Sequence, residues 1–173
     1  YYIRVLGKRD APISLSNLQN ALNEGSLTAG LKADDNSSFT EIIVSHENGT
    51  DIAVIERNPV VQGKLGYDEI QEFLAEIELC KPSSAVQWLK NYLPKIQIIY
   101  AFQLLDGTDV QNGWDIVHTL QNHVWKQTGG ILQADSEGFT NEDGYYILWQ
   151  FNDHVKGEWN MAVLDERDAW LPF

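Results

Sequence analysis

Four carboxylates, Asp135, Glu137, Glu142 and Asp143, fall within the stretch ILQADSEGFTNEDGYYILW (131–149). Carboxylates spaced this closely can offer hard oxygen ligands to Mg2+ or Ca2+, or divide acid and base roles between them. The stretch lacks the D-x-[DN]-x-[DN]-G order of an EF-hand loop. A structural reading competes: an Asp at a strand end bonds the N–H groups of the following loop, and Glu142-Asp143-Gly144 reads as a hairpin turn. Asp135 has a counterpart earlier in the chain, Asp34, whereas Glu137 and Asp143 have no secure one. A residue kept in two similar loops is more simply explained by local structure.

The remaining chemistry-bearing residues are scattered. His118 and His123 stand five apart, where two ligands on one helix face need a spacing of four. His46, beside Glu47 and near Asp51, and His154, after Asp153, occupy corresponding hairpin tips that are expected to be exposed. Cys80, the single cysteine, excludes an internal disulfide and has no base near it in sequence, so it reads as an inert, half-buried thiol. Gly63-Lys64-Leu65-Gly66 is not a Walker loop, no G-x-G-x-x-G follows a strand, and G-x-S-x-G is absent. No catalytic residue, cofactor or resident metal is assigned. Of the six tryptophans, Trp149 and Trp159 lie on adjoining predicted strands, where they could form an aromatic surface rimmed by acids. The tail DERDAWLPF (165–173) could cover a sheet edge or dock a partner. Candidate binding residues are therefore Asp34, Asp135, Glu137, Asp143, Trp149 and Trp159.

The elements that must hold these residues read as one pattern written twice. YYIRVL (1–6) is β-rich. SLSNLQNALNEG (14–25) sets Leu15, Leu18 and Leu22 on one helical face, with Ser16 and Gln19 as a capping box and Gly25 at the C-terminal stop. LTAGLKA (27–33) is a strand, and EIIVSH and DIAVIER flank Asn48-Gly49, a strong hairpin signal. From Lys95 the order repeats: the strand KIQIIYAFQLL, a helix over 108–127 with Trp114, Val117, Leu120 or Gln121 and Val124 at helical spacing, the strand ILQA, then YYILWQF and EWNMAVL. Leu31, Ala33, Asp34, Phe39 and Thr40 answer to Leu132, Ala134, Asp135, Phe139 and Thr140, with a one-residue slip in the loop.

The expectation is an α+β fold, a tandem duplication of a β-α-β-β-β unit with mostly antiparallel sheets and one helix each. The halves span 1–60 and 95–173, within one compact domain. Residues 61–94 join them as a helical hairpin. Its first helix places Ile70, Phe73, Leu74 and Ile77 on one side and Glu69, Glu72 and Glu76 on another, read as a solvated face.

Two β-α-β-β-β units in tandem resemble, in element order, the vicinal-oxygen-chelate (glyoxalase-like) group. That resemblance implies a metal held by His, Gln or Glu on the first and last strands of each unit. Here Gln97, Gln103, Glu56 and Glu158 are the residues so placed, and residues 1–6 offer none.

The formal charge is −13 and uneven: −3 over 1–60, −2 over 61–94 and −8 over 95–173. Such a field repels phosphate backbones and argues against nucleic acid, while it speeds encounter with a basic protein. No run of apolar residues is long enough to cross a membrane as a helix, and no signal peptide is visible, although the chain opens on Tyr1 rather than Met. The expected function is that of a non-enzymatic, cytoplasmic, acidic binding protein: an adaptor, or an immunity-type inhibitor of a basic protein. The alternative is a small-molecule binder or metal-dependent enzyme with a cleft between the two halves.

Overall fold

The computed structural model describes residues 1–78, 80, 83–153 and 158–163, with 149–153 and 158–163 described by their backbone. Along the chain come β1 (Tyr2–Gly7), α1 (Leu15–Glu24), β2 (Gly30–Ala33), β3 (Glu41–Ser45), β4 (Asp51–Pro59), α2 (Leu65–Ile77) and α3 (Ser83–Tyr92). Then follow β5 (Ile98–Leu104), α4 (Gly113–Thr128), β6 (Ile131–Ala134), β7 (Gly138–Thr140), β8 (Tyr146–Asp153) and β9 (Glu158–Val163). The fold is α+β. The strands join in one sheet in the order β2-β3-β4-β5-β1-β6-β7-β8-β9, each neighbour antiparallel to the next.

Alternation in the strands divides the core between the two faces of this sheet. On β1, Ile3 and Val5 face one way and meet Leu18 and Leu22 of α1 and Val117, Leu120 and Val124 of α4. Leu6 faces the other way and meets Ile70, Phe73 and Ile77 of α2 and Leu89 of α3. Each such side chain contributes on the order of 1.5–3 kcal/mol when fully buried. A one-residue slip of β1 would drive Arg4 into the α1/α4 layer, so burial on both faces fixes the register.

Local chemistry sets the helix positions, with corrections to the sequence reading. α1 starts two residues earlier than Ser16 implies: Ser14 is the cap, and its hydroxyl accepts from the Asn17 N–H at 3.1 Å. At the other end the left-handed residue is Ser26 (φ 56°), not Gly25, and the Leu27 N–H closes back on the Leu22 carbonyl. On α4, Val117, Leu120 and Val124 are buried with Ile116, but Trp114 lies on the exposed side, its indole N–H donating to Asp109. The start of α2 lies hard against the end of β4. A Cβ at Gly66 would sit 2.6 Å from the Pro59 carbonyl oxygen, so only glycine permits this approach.

The element order β-α-β-β-β does occur on both sides of the α2–α3 hairpin. The two passages nevertheless take different paths through the sheet. β1 and β2 are separated by four antiparallel steps and so run parallel, and the meander β2-β3-β4 returns from the edge to the centre. β5 and β6 are separated by two such steps, and β6 through β9 lead outward instead. The first strands are also exchanged: β1 lies between β5 and β6, and β5 between β4 and β1. Matched residues agree on the strand and part in the loop. Leu31 and Leu132, and Ala33 and Ala134, all face the α1/α4 layer. Phe39 joins that layer too, but Phe139 packs on the opposite face, edge-on to Phe73 at 5.3 Å. The one-residue slip between the two loops is enough to reverse the face.

Candidate functional site

The α2 face of the sheet is apolar at one end and polar at the other. Leu6, Ile99 and Ile131 lie under the helical hairpin. Two residues further along the same face of their strands stand Arg4, Ala101 and Gln133, and the register sets Glu56, Ala101, Arg4 and Gln133 in one row across β4, β5, β1 and β6. Ala101 is the smallest of the row. It leaves a hollow between Glu56 and Arg4, and α2 roofs it. The result is a cleft of about 540 Å3 lined by Tyr2, Arg4, Glu56, Ala101, Gln133 and Asp135 from the sheet and by Asp68, Glu69, Glu72, Phe73 and Glu76 from α2.

Arg4 organises the floor. Its Nη1 donates to Gln133 Oε1 and to Asp135 Oδ1, each at 2.7 Å, and its Nε faces Glu69 as an ion pair. The guanidinium also lies over the rings of Tyr2 and Phe73, at 5.0 and 5.6 Å. Asp135 Oδ2 accepts the Tyr2 N–H at 3.0 Å. Six carboxylates against one guanidinium leave the cleft at a formal −5. Burial pushes the Glu69 carboxyl above its ordinary range, and Arg4 opposes that push. Glu76 at the rim is raised by partial desolvation and then by Glu72. The side chains of Glu56, Asp68, Glu72 and Glu76 have no ion-pair partner among the described residues.

The solvated face expected of the α2 acids holds for Glu72 and Glu76, which are exposed, but not for Glu69. Glu69 leaves only 15% of its side chain exposed, and Glu69, Glu72 and Glu76 line the cleft with Asp68. The signal was available: Glu69, Glu72 and Glu76 share one helical face, and Arg4 and Gln133 interrupt the apolar alternation of β1 and β6.

Of the candidate residues whose side chains are described, only Asp135 belongs to this cleft. Asp34 stitches its own loop: it accepts the Thr40 hydroxyl at 2.5 Å, the Thr40 N–H at 2.9 Å and the Glu41 N–H at 3.0 Å. Those bonds, the hydroxyl first, hold its pKa at about 2. Asp135 instead reaches across to β1, so the two aspartates at matching strand ends do different work. Glu137 turns to the outside, accepting the Tyr1 and Tyr146 hydroxyls at 3.0 and 2.6 Å. Glu142 accepts the Tyr92 hydroxyl at 2.6 Å and the Lys8 ammonium at 2.9 Å, and those bonds lower its pKa. Asp143 is exposed in a turn organised by Asn141, whose Oδ1 accepts the N–H groups of Asp143 and Tyr145. Asp135, Glu137, Glu142 and Asp143 therefore part company, and no group of three metal-ligating side chains forms among the described residues.

Trp149 and Trp159 do lie on adjoining strands, but the backbone register sets Trp149 opposite Ala162 and Trp159 opposite Asn152. Their side chains, His154 and the 165–173 tail lie outside the described residues. His46 is not an exposed tip: it is 5% exposed, with Nε2 2.7 Å from the Gly107 carbonyl oxygen, a contact that requires the proton on Nε2. Cys80 is half-buried beneath the hairpin, and desolvation raises its thiol pKa. Of the residues the glyoxalase-like order singles out, Glu56 reaches the cleft, Gln103 stands opposite Tyr2 and Val54, and Gln97 gives its N–H to Gly7. No helix of the described residues is long and apolar enough to cross a membrane. No protein-family model matches this chain, and no curated protein or solved structure matches it.

Proposed function

We propose that this chain is a non-enzymatic, cytoplasmic binding protein, an adaptor or an immunity-type inhibitor, whose α2 cleft receives a basic segment of a partner protein. One observation carries the reading: among the described residues, four carboxylates around a concave site lack a cation, while the one cation on the floor, Arg4, is engaged by Glu69, Asp135 and Gln133. A lysine or arginine side chain supplies the missing charge, and the chain's overall −13 steers it in. The same field disfavours nucleic acid as a partner.

The test is a calorimetric titration with an arginine- and lysine-rich peptide. Affinity is expected to fall as salt rises from about 50 to 500 mM, and the double variant Glu72→Gln/Glu76→Gln is expected to weaken it about 5–10-fold. Absence of binding at low salt, or binding indifferent to salt, would sink the proposal.

A second reading places a small cationic molecule in the same cleft, making the chain a small-molecule binder. Its volume lies in the range of small-molecule sites, roughly 300–1,000 Å3, and it crosses the β1–β5 seam between the two halves. Spermidine binding more tightly than the peptide would favour this version. We also propose that residues 1–60 and 95–173 descend from one duplicated β-α-β-β-β unit. Support comes from the repeated element order and from the shared facing of Leu31 with Leu132 and Ala33 with Ala134.

A further inference from the structure

Beyond the acidic cleft, the opposite end of β1 carries a second site of inverse charge. A hollow of about 570 Å3 is lined by Lys8, Arg9, Asn122, Trp125, Lys126, Gly129, Gly130 and Glu142. Three cations against one carboxylate give it a formal +2 in a chain of −13. Glu142 is committed to Lys8 and Tyr92. Arg9 and Lys126 have no ion-pair partner among the described residues, although acids outnumber bases 25 to 12 in the chain. Both line the same hollow, so an anion seated there would meet both charges.

The site is rigid as well as charged. Gly130, at φ 93°, lies so close to β1 that a Cβ would fall 1.9 Å from the Leu6 carbonyl oxygen, so the turn after α4 is locked to the end of that strand. The Arg9 N–H donates to the Thr128 carbonyl at 3.0 Å and its Nη2 to the Gln127 carbonyl at 3.1 Å. The guanidinium therefore lies against Gly129, where a Cβ would be 3.4 Å from Nη1. The Trp125 indole is pinned by its own N–H to the Gly130 carbonyl at 3.1 Å, and Gly144 abuts its ring edge. A fixed guanidinium, a free ammonium, an amide donor from Asn122 and a half-buried indole wall thus border one hollow.

We infer that this hollow binds a small organic phosphate whose flat portion rests on Trp125, with Arg9 and Lys126 on the phosphate oxygens. Guanidinium matches phosphate geometry through paired donors, and ammonium adds a point charge. The net negative field of the chain, which opposes a long polyanion, costs a single small dianion far less.

The experiment is an NMR titration of the whole chain with inorganic phosphate, phenyl phosphate and phenol, followed at backbone amides and at the Trp125 indole N–H. Both phosphates are expected to shift Gly129, Gly130, Lys126 and the Trp125 indole. Phenyl phosphate is expected to bind about 2–10-fold more tightly than inorganic phosphate, through the ring contact. Lys126→Ala, a change at the helix surface, is expected to weaken both about 10-fold or more. Arg9→Lys, which keeps the charge but loses the fork, should weaken both by less. The control Lys64→Ala should change nothing. The inference falls if neither phosphate shifts these signals at about 10 mM, well above a Kd near 1 mM. It falls equally if Lys126→Ala binds as tightly as the native chain, or if phenol shifts the same signals as strongly as phenyl phosphate.

Discussion

Replacing Arg4 by Met removes the charge from the cleft floor while keeping an apolar stem against Phe73 and Tyr2. Arg4 and Glu69 expose only 13% and 15% of their side chains, so this is a largely buried pair, whereas Asp135 exposes 36% of its own. Leaving one member of a buried pair behind costs roughly 3–5 kcal/mol; the partly open cleft sets the expectation at the lower end. Loss of the Asp135 contact adds under about 1 kcal/mol, and loss of the ring contacts about 0.5–1 kcal/mol, which the Met stem partly offsets. The total is about 3–4 kcal/mol at neutral pH. With a urea m-value of about 2 kcal/mol/M, the unfolding midpoint should drop by about 1.5–2 M. The cost should shrink by at least about 1 kcal/mol near pH 5, because Glu69, already raised by burial and now without its guanidinium, takes up a proton. Adding Glu69→Gln to the variant should recover a similar amount at neutral pH. A neutral-pH loss below about 1 kcal/mol, or a loss that ignores both pH and Glu69→Gln, would refute the idea that Arg4 holds buried negative charge in place.

Three further outcomes follow from the same geometry. The raised Glu69 and Glu76 carboxyls favour the fold when protonated, so their contribution is present below the ordinary carboxylate range and fades as pH climbs through their raised values; the native urea midpoint should be higher near pH 5 than near pH 7, and Glu69→Gln should reduce that difference. Ala101→Leu should fill the hollow between Glu56 and Arg4 and abolish binding of the basic peptide, while calorimetric unfolding changes by less than about 1.5 kcal/mol. His46→Ala should cost about 2 kcal/mol in urea unfolding by removing the buried Nε2–H bond to the Gly107 carbonyl oxygen, which keeps only the longer 3.4 Å bond from the Val110 N–H, with no effect on peptide binding.

Element order was legible because periodicity and punctuation are local: Leu18 and Leu22 on α1, Ile70, Phe73 and Ile77 on α2, and Asn48-Gly49 between two β-branched runs. What failed to show depends on partners distant in sequence. Glu69 looked as solvated as Glu72 and Glu76 because the strand that neutralises it, with Arg4 at its centre, lies more than sixty residues away. Asp34 and Asp135 looked alike because the loop pattern is shared, but one finds its donors within seven residues and the other finds them on β1. Phe39 and Phe139 looked equivalent until a one-residue difference in loop length set them on opposite faces. His46 looked exposed because it sits beside a hairpin turn, and nothing near it in sequence announces that Gly107 covers it.

The position of β1 has a consequence for the order in which the fold can close. Ile3 pairs with Phe102 on one side and Ala134 on the other, so β1 is completed only by strands that lie about a hundred residues or more further along. Until residue 134 emerges, β1 has an unfilled edge, and the α1 side chains Leu18 and Leu22 lack the α4 surface they close against. Such long-range pairing slows folding and leaves sticky intermediates. β1 therefore ties the early and late parts of this chain into one cooperative unit, in which neither side of the sheet is closed without the other.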